Sequence, residues 1–328
     1  MQTAPVILCP GQGAQAVGMG KAWADAVPEA KAVFDRADAL LGDRLGAPLS
    51  TLCFEGPEAD LNTTAVAQPA LYTCAVASYR GWLAQEGAAP SDVQPTATAG
   101  LSLGEYTALH LAGAFEFEVG LELVVLRGRA MQDAAEATAS GMVALIGATP
   151  EQAHAVADAA RGSGVLVPAN FNAPGQVVLS GDTEACARAE TEASNQGLRA
   201  AALAVAGAFH SPIMAPAAER LRQALASAEI AAPRCPVYSN VTGAPHAAGA
   251  DSIRAKLVEQ LTSPVLWADT AAALASSSPA GSLHELAPGK TLAGLMRRID
   301  RGAKVTTHDA PARSAPPPQG ARRWPHPV

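Results

Sequence analysis

Aromatic side chains are scarce, at 4% of the 328 residues, and charge is sparse, at 16%. No basic run is present and the net charge is -7, so nothing offers the electrostatic footprint that a nucleic-acid backbone needs. No apolar stretch approaches the roughly 20 residues that span a bilayer, and the opening MQTAPVILCPGQG lacks the basic start of an export signal. Cysteine is also thin. Cys9, Cys53, Cys74, Cys186 and Cys235 are scattered, odd in number and never spaced C-x-x-C, so they read as small buried side chains and not as a disulfide frame or a zinc site. These absences set the expectation of a cytoplasmic chain with no metal, no nucleic-acid partner and no membrane partner.

What is plentiful is apolar residue, at 49%, in a chain long enough to bury a sizeable core. Strand-like runs alternate with Ala-rich helical stretches, the order of an α/β fold with parallel strands. PVILCP and TATAGLS read as strands. PEAKAVFDRADALLG, QPALYTCAVASYRGWLAQEG and FEVGLELVVLRGRAMQDAAEA carry helical spacing. From Gly141 the texture tightens into β-α-β-β-α-β, the ferredoxin-like order, as an inserted subdomain over 138–207. Thr149 and Asp182 open its two helices in N-cap positions. The larger domain then takes 1–137 and 208–306, with PVYSNVTG expected as a strand and GSLHELAPGKTLAGLMRRI as strand, turn and helix. The segment 309–328, rich in Pro, Ala and Arg without periodicity, is expected to be disordered.

In AGLSLGEYTAL, Ser102 stands between Gly100 and Gly104, after a strand and before a helix. A G-x-S-x-G turn of this kind pushes the serine Oγ out over the sheet. It also aims the next N–H, that of Leu103, at an oxyanion, with the helix terminus adding positive partial charge. Ser102 also precedes Glu105 by three, the spacing of a capping box, so a serine that merely caps the helix fits these residues as well. CPGQGAQ, residues 9–15, is a glycine turn directly after the first strand. With Gly18 it imitates a dinucleotide fingerprint, but no acidic residue closes a second strand on cue. The other use of such a turn is to present backbone N–H groups to an anion.

Among the histidines, His110 lies about 12 Å along the same helix from Ser102. His154 falls in the insert, His246 in a Pro/Gly loop, His284 in a strand, and His308 and His326 at or in the tail. His210, in GAFHSPIM where the chain leaves the insert, is the remaining general base, although a lone histidine is by default structural. Arg127, in VVLRGRAM, sits on an otherwise apolar helix face, where a guanidinium needs an anionic partner; Arg129 points to another face.

Taken in order, GQGAQ, QPAL, GLSLGEYTAL, RGRAMQ, NFNAPGQVVLSG, GAFHSPIM, SPVLW and APGKTLAGLMRRI resemble the malonyl-CoA:acyl-carrier-protein transacylase family, from about residue 6 to 300. The resemblance implies an α/β-hydrolase-like large domain carrying the ferredoxin-like insert, with the active site between them. It implies Ser102 as the nucleophile and His210 as its base, oriented by a main-chain carbonyl in SPVLW, that of Leu266. The N–H groups of Leu103 and Gln12 would form the oxyanion hole. Arg127 would receive the free malonyl carboxylate, Gln68 of QPAL would join the substrate-binding set, and Phe209 would limit room for a 2-methyl branch. The implied partners are malonyl-CoA and acyl carrier protein, with no resident cofactor and a monomeric chain. Two departures stand out: Leu101 replaces a histidine common before the serine, and Cys9 replaces a common aromatic. Three other readings fit parts of the same pattern. They are a discrete polyketide-synthase acyltransferase, a serine hydrolase or thioesterase, and a non-catalytic carrier-binding module.

Overall fold

In the computed structural model, residues 4–247 and 249–312 are described. Two four-stranded sheets organise them. The first is fully parallel, in the order β2-β1-β7-β8, from β1 (Val6–Cys9), β2 (Ala97–Gly100), β7 (Leu283–Leu286) and β8 (Val305–His308). A parallel sheet is covered on both faces, which is why β1 is apolar and buried at every position. Ile7 and Cys9 face one core with Trp23, Leu71 and Tyr106, while Val6 and Leu8 face another with Trp267 and Leu292. The helix Thr64–Gln85 crosses the first core and is continuously buried from Val66 to Tyr79, so its sequence is apolar all round. The helix Phe117–Ala137 packs along it.

The second sheet is antiparallel, in the order β4-β5-β3-β6, from β3 (Ser140–Ile146), β4 (Leu166–Ala173), β5 (Gln176–Asp182) and β6 (Arg199–Ala202). The helices Pro150–Arg161 and Thr183–Asn195 close one face over Val143, Leu145, Leu166 and Leu179. Its other face lends Met142, Ala169 and Val178 to the main core. The chain therefore meets itself along a seam between the two sheets. Thr149 and Gln152 make the expected capping box, whereas the Asp182 carboxylate accepts from the Val165 N–H at 2.5 Å and caps nothing.

Three expectations change. PVYSNVTG forms no strand of its own: Val237 and Tyr238 make only isolated bridges, because a turn at Ser239–Ala244 closes the segment. The first sheet gains an edge strand, β8, just before the expected tail. The tail's start is also fixed in place. Gly289 N–H donates to Asp309 Oδ1 at 2.6 Å, and Gln85 exchanges two hydrogen bonds with the Ala312 backbone. The rest of the expected tail, 313–328, lies outside the described residues, as does His326. No helix among the described residues is long and apolar enough to cross a membrane.

Candidate active site

β2 runs straight into the helix Gly104–Leu111, and Ser102 is the corner. Its φ is +53°, and His210, at +58°, is the other non-glycine residue with positive φ among the described residues. Left-handed backbone costs an L-residue on the order of 1–3 kcal/mol and persists where the surroundings dictate it. Here the dictate is close packing. A Cβ on Gly100 would come within 2.0 Å of the Gly104 backbone, and one on Gly104 within 2.1 Å of the Cys9 carbonyl. The glycines of G-x-S-x-G are there because helix and strand touch through their backbones. Gly11 fits equally tightly against the Leu101 carbonyl, which seats the GQG turn beside the serine.

Ser102 Oγ lies 2.8 Å from His210 Nε2, and His210 Nδ1 lies 2.8 Å from the main-chain oxygen of Gln260. A carbonyl only accepts, so Nδ1 carries the proton and Nε2 offers its lone pair to the serine hydroxyl. Burial, reinforced by the charge of Arg127 and opposed by the Gln260 carbonyl, pushes the His210 pKa down to about 4. The imidazole is thus neutral at neutral pH and free to take a proton. The orienting carbonyl is a correction: the Leu266 oxygen accepts from the Thr270 N–H at 3.2 Å, starting a helix, and is not turned to His210. Phe209 is buried against the cavity, and its carbonyl accepts from Ser180 Oγ at 2.6 Å, tying the His210 segment to β5.

Arg127 is only 1% exposed. Nη1 donates to Gln68 Oε1 at 2.7 Å, and Nη2 donates to Gln260 Oε1 at 2.8 Å and to Ser102 Oγ at 3.1 Å. The guanidinium also sits 5.4 Å from the centroid of the Tyr106 ring, while Nε is buried with no hydrogen-bond partner among the described residues. Every hydrogen-bond partner is neutral, and burial lowers the pKa. Among the described residues no carboxylate bonds this desolvated guanidinium, which leaves its charge to be balanced by an anion. Arg129 is exposed, on another face.

The N–H groups of Leu103 and Gln12 donate to no group among the described residues. The Gln12 side chain donates to Thr64 Oγ1 at 3.3 Å. Ser102, His210, Gln12, Leu101 and Phe209 open on a cavity of about 560 Å³ in the seam, with Asn170 and Gln176 from the second sheet and Leu292 from beyond the first. No group of three His, Cys, Asp or Glu side chains among the described residues is placed to hold a metal.

Four of the other histidines lie elsewhere. His110 bonds the Phe115 carbonyl, His154 is exposed, and His284 pairs with His308 on the far side. Sequence reasoning missed Gln260, Asn240, Glu105 and His246. Asn240 accepts from the Ser102 N–H at 2.5 Å and donates to the Gly100 carbonyl at 2.7 Å, strapping the corner. Glu105, read as one half of a capping box, turns inward to Asn240, Gln260 and His246.

A serine hydroxyl bonded to a neutral histidine, with two N–H groups unpaired among the described residues and a buried cation beside it, has the geometry of a serine acyl-transfer enzyme. The chain matches the acyl transferase domain model over residues 6–304, and it belongs to that family. It is 40% identical over 300 residues to the malonyl CoA-acyl carrier protein transacylase of Bacillus subtilis, covering 91% of each chain. The structure of a malonyl-CoA:acyl carrier protein transacylase from Xanthomonas oryzae superposes with a TM-score of 0.86 at 40% identity, covering 95% of this chain and 96% of that one. A malonyl-transacylase solved with its type II polyketide acyl-carrier protein matches with a TM-score of 0.85 at 35% identity, covering 93% and 96%.

Proposed function

We infer that this enzyme moves a malonyl group from malonyl-CoA to the phosphopantetheine thiol of an acyl carrier protein, through an ester on Ser102. His210 Nε2 takes the hydroxyl proton as Oγ attacks the thioester carbon. The N–H groups of Leu103 and Gln12 hold the oxyanion, and its collapse expels the coenzyme A sulfur, which leaves with the proton from His210. In the second half the carrier thiol gives its proton to His210, attacks the ester carbon and takes the malonyl group, and Ser102 regains its proton. The Arg127 guanidinium receives the malonyl carboxylate, the bidentate geometry a planar fork suits. Phe209 restricts room at the acyl α-carbon. No step calls for a metal or a resident cofactor.

The observation that carries this reading is Arg127, buried with neutral partners within 3.1 Å of Ser102 Oγ. The strand order of the second sheet supports a ferredoxin-like subdomain over 138–207, inserted in an α/β-hydrolase-like domain of 1–137 and 208–306. A monomeric, cytoplasmic enzyme with no nucleic-acid or membrane partner is the setting that fits this reading. The carrier of fatty-acid elongation is the acceptor proposed; a polyketide carrier is the second reading, favoured by the complex noted above.

The test is intact-protein and peptide mass spectrometry after incubation with malonyl-CoA. A malonyl adduct is expected on Ser102, lost in Ser102→Ala and formed orders of magnitude more slowly in His210→Ala. A Ser102→Ala protein that still transfers malonyl groups at a normal rate refutes the ester mechanism. Transfer rates to the two kinds of carrier separate the two acceptors.

A further inference from the structure

Beneath the corner lies a carboxylate that the acyl-transfer steps do not use. Glu105 is fully buried. Its Oε2 accepts from the Asn240 N–H at 2.9 Å and from Gln260 Nε2 at 2.8 Å, and its Oε1 accepts from His246 Nε2 at 2.7 Å. The Gln260 amide has two protons, and the second goes to the main-chain oxygen of Ser102 at 3.0 Å. With both protons committed, the amide has only its oxygen left for Arg127 Nη2, at 2.8 Å. Were the amide reversed, its NH₂ would face the guanidinium, donor against donor.

We propose that Glu105 is a positioning residue for acyl selection: it holds the Gln260 carboxamide in one orientation, and that carboxamide aims the Arg127 guanidinium at the acyl group on Ser102. The inference rests on Arg127 as the receiver of the malonyl carboxylate. The spacing adds a second physical reason. One carboxamide separates the negative charge of Glu105 from the arginine, so it offsets the buried cation without occupying its fork. A carboxylate bonded directly to Arg127 would compete with the malonyl group for the same N–H donors. Glu105 also holds Asn240 and, through it, the corner backbone. That route, and the Gln260 bond to the Ser102 main-chain oxygen, affect every acyl group alike, whereas the Gln260 bond to Arg127 affects only groups that bear a carboxylate, so the selection shows in the ratio of the two rates.

The substitution that separates geometry from charge is Glu105→Gln. With its carbonyl oxygen at the Oε2 position, glutamine still accepts from Asn240 and Gln260. Its NH₂ then faces His246, which accepts on Nε2 by carrying its proton on Nδ1, an atom with no partner among the described residues. Glu105→Ala has no such rescue, and Gln260→Leu removes the relay while leaving the main-chain oxygen that orients His210.

The experiment measures kcat/KM for malonyl-CoA and acetyl-CoA in the wild type, Glu105→Gln, Glu105→Ala, Gln260→Leu and Arg127→Ala. The malonyl-to-acetyl ratio is expected to fall about tenfold in Gln260→Leu and in Glu105→Ala, and to stay within about threefold of wild type in Glu105→Gln. If Glu105→Ala fails to fold, Gln260→Leu and Glu105→Gln decide. An unchanged ratio in Gln260→Leu overturns the proposal, as does a Glu105→Gln ratio that falls as far. If Arg127→Ala itself leaves the ratio unchanged, it is the malonyl reading that fails.

Discussion

Malonyl and acetyl groups differ by one carboxylate, so choosing between them is work for a single side chain. On the reading proposed above that side chain is Arg127, whose partners Gln68, Gln260 and Ser102 all present neutral oxygens. A charge-assisted pair formed out of water is worth about 2–3 kcal/mol, a preference of roughly 30- to 150-fold. Arg127→Ala should lower kcat/KM for malonyl-CoA by about that factor and leave acetyl-CoA unchanged or improved. Steady-state kinetics with both substrates checks this, and an equal fall for both would make Arg127 a structural residue. In the sequence Ser102, His210 and Arg127 stand out as candidates, a hydroxyl between glycines, an imidazole among small residues and a cation on an apolar face, and it is the family resemblance that sets them above a capping serine and a structural histidine. The group that orients His210 was not legible in the sequence. Any residue type supplies a carbonyl oxygen, so position 260 carries no mark of that role, and Leu266 was the wrong expectation.

At the scale of elements, periodicity identified the parallel strands and long helices, and it failed where a segment is fixed by contacts with distant chain. PVYSNVTG has strand composition, yet its register ends at the turn that delivers Asn240 to the Ser102 N–H. The short β8 pairs only with β7, at the sheet edge, and its four residues are too few to show a pattern. Glycine separates close approach from mere absence of a side chain. Gly104→Ala drives a Cβ to 2.1 Å from the Cys9 carbonyl, and overpacking of this kind costs about 1–3 kcal/mol. Gly294, inside the helix Thr291–Ile299, has nothing within 4 Å of an added Cβ, so Gly294→Ala should stabilise by about 0.5–1 kcal/mol through helix propensity and lost unfolded-chain freedom. Thermal melts of the two variants should therefore move in opposite directions. Destabilisation by Gly294→Ala would show that the helix does not tolerate even a methyl group there.

Across the whole molecule, the same burial that keeps His210 neutral makes the fold sensitive to acid. His210 and His308 are pushed down to about 4, and His110 and His284 are lowered as well, in each case mainly by burial. The unfolded chain takes up these protons near pH 6.5, while the folded protein refuses two of them until about pH 4. Between those limits the unfolded state binds more protons, so stability falls as pH falls. Glu285 works the other way. Burial raises its carboxyl to about 7 despite hydrogen bonds from the Leu292 and Ala293 N–H groups, so the folded state holds an extra proton above the ordinary carboxylate range. From pH 6.5 down to 4.5 that is one proton favouring the fold against at least two favouring the unfolded chain, and the histidines win. The melting temperature should drop between pH 7 and pH 5. His308→Phe retains an aromatic ring against Trp82, where the centroids now lie 4.2 Å apart with the planes tilted by 31°, and removes one of the refused protons, so its melting temperature should depend less steeply on pH. Glu285→Gln removes the opposing proton and should steepen the same slope. Calorimetric melts of the three proteins across this window test the balance, and a wild-type melting temperature that holds or rises toward pH 5 would show that Glu285, not the histidines, governs the acid response.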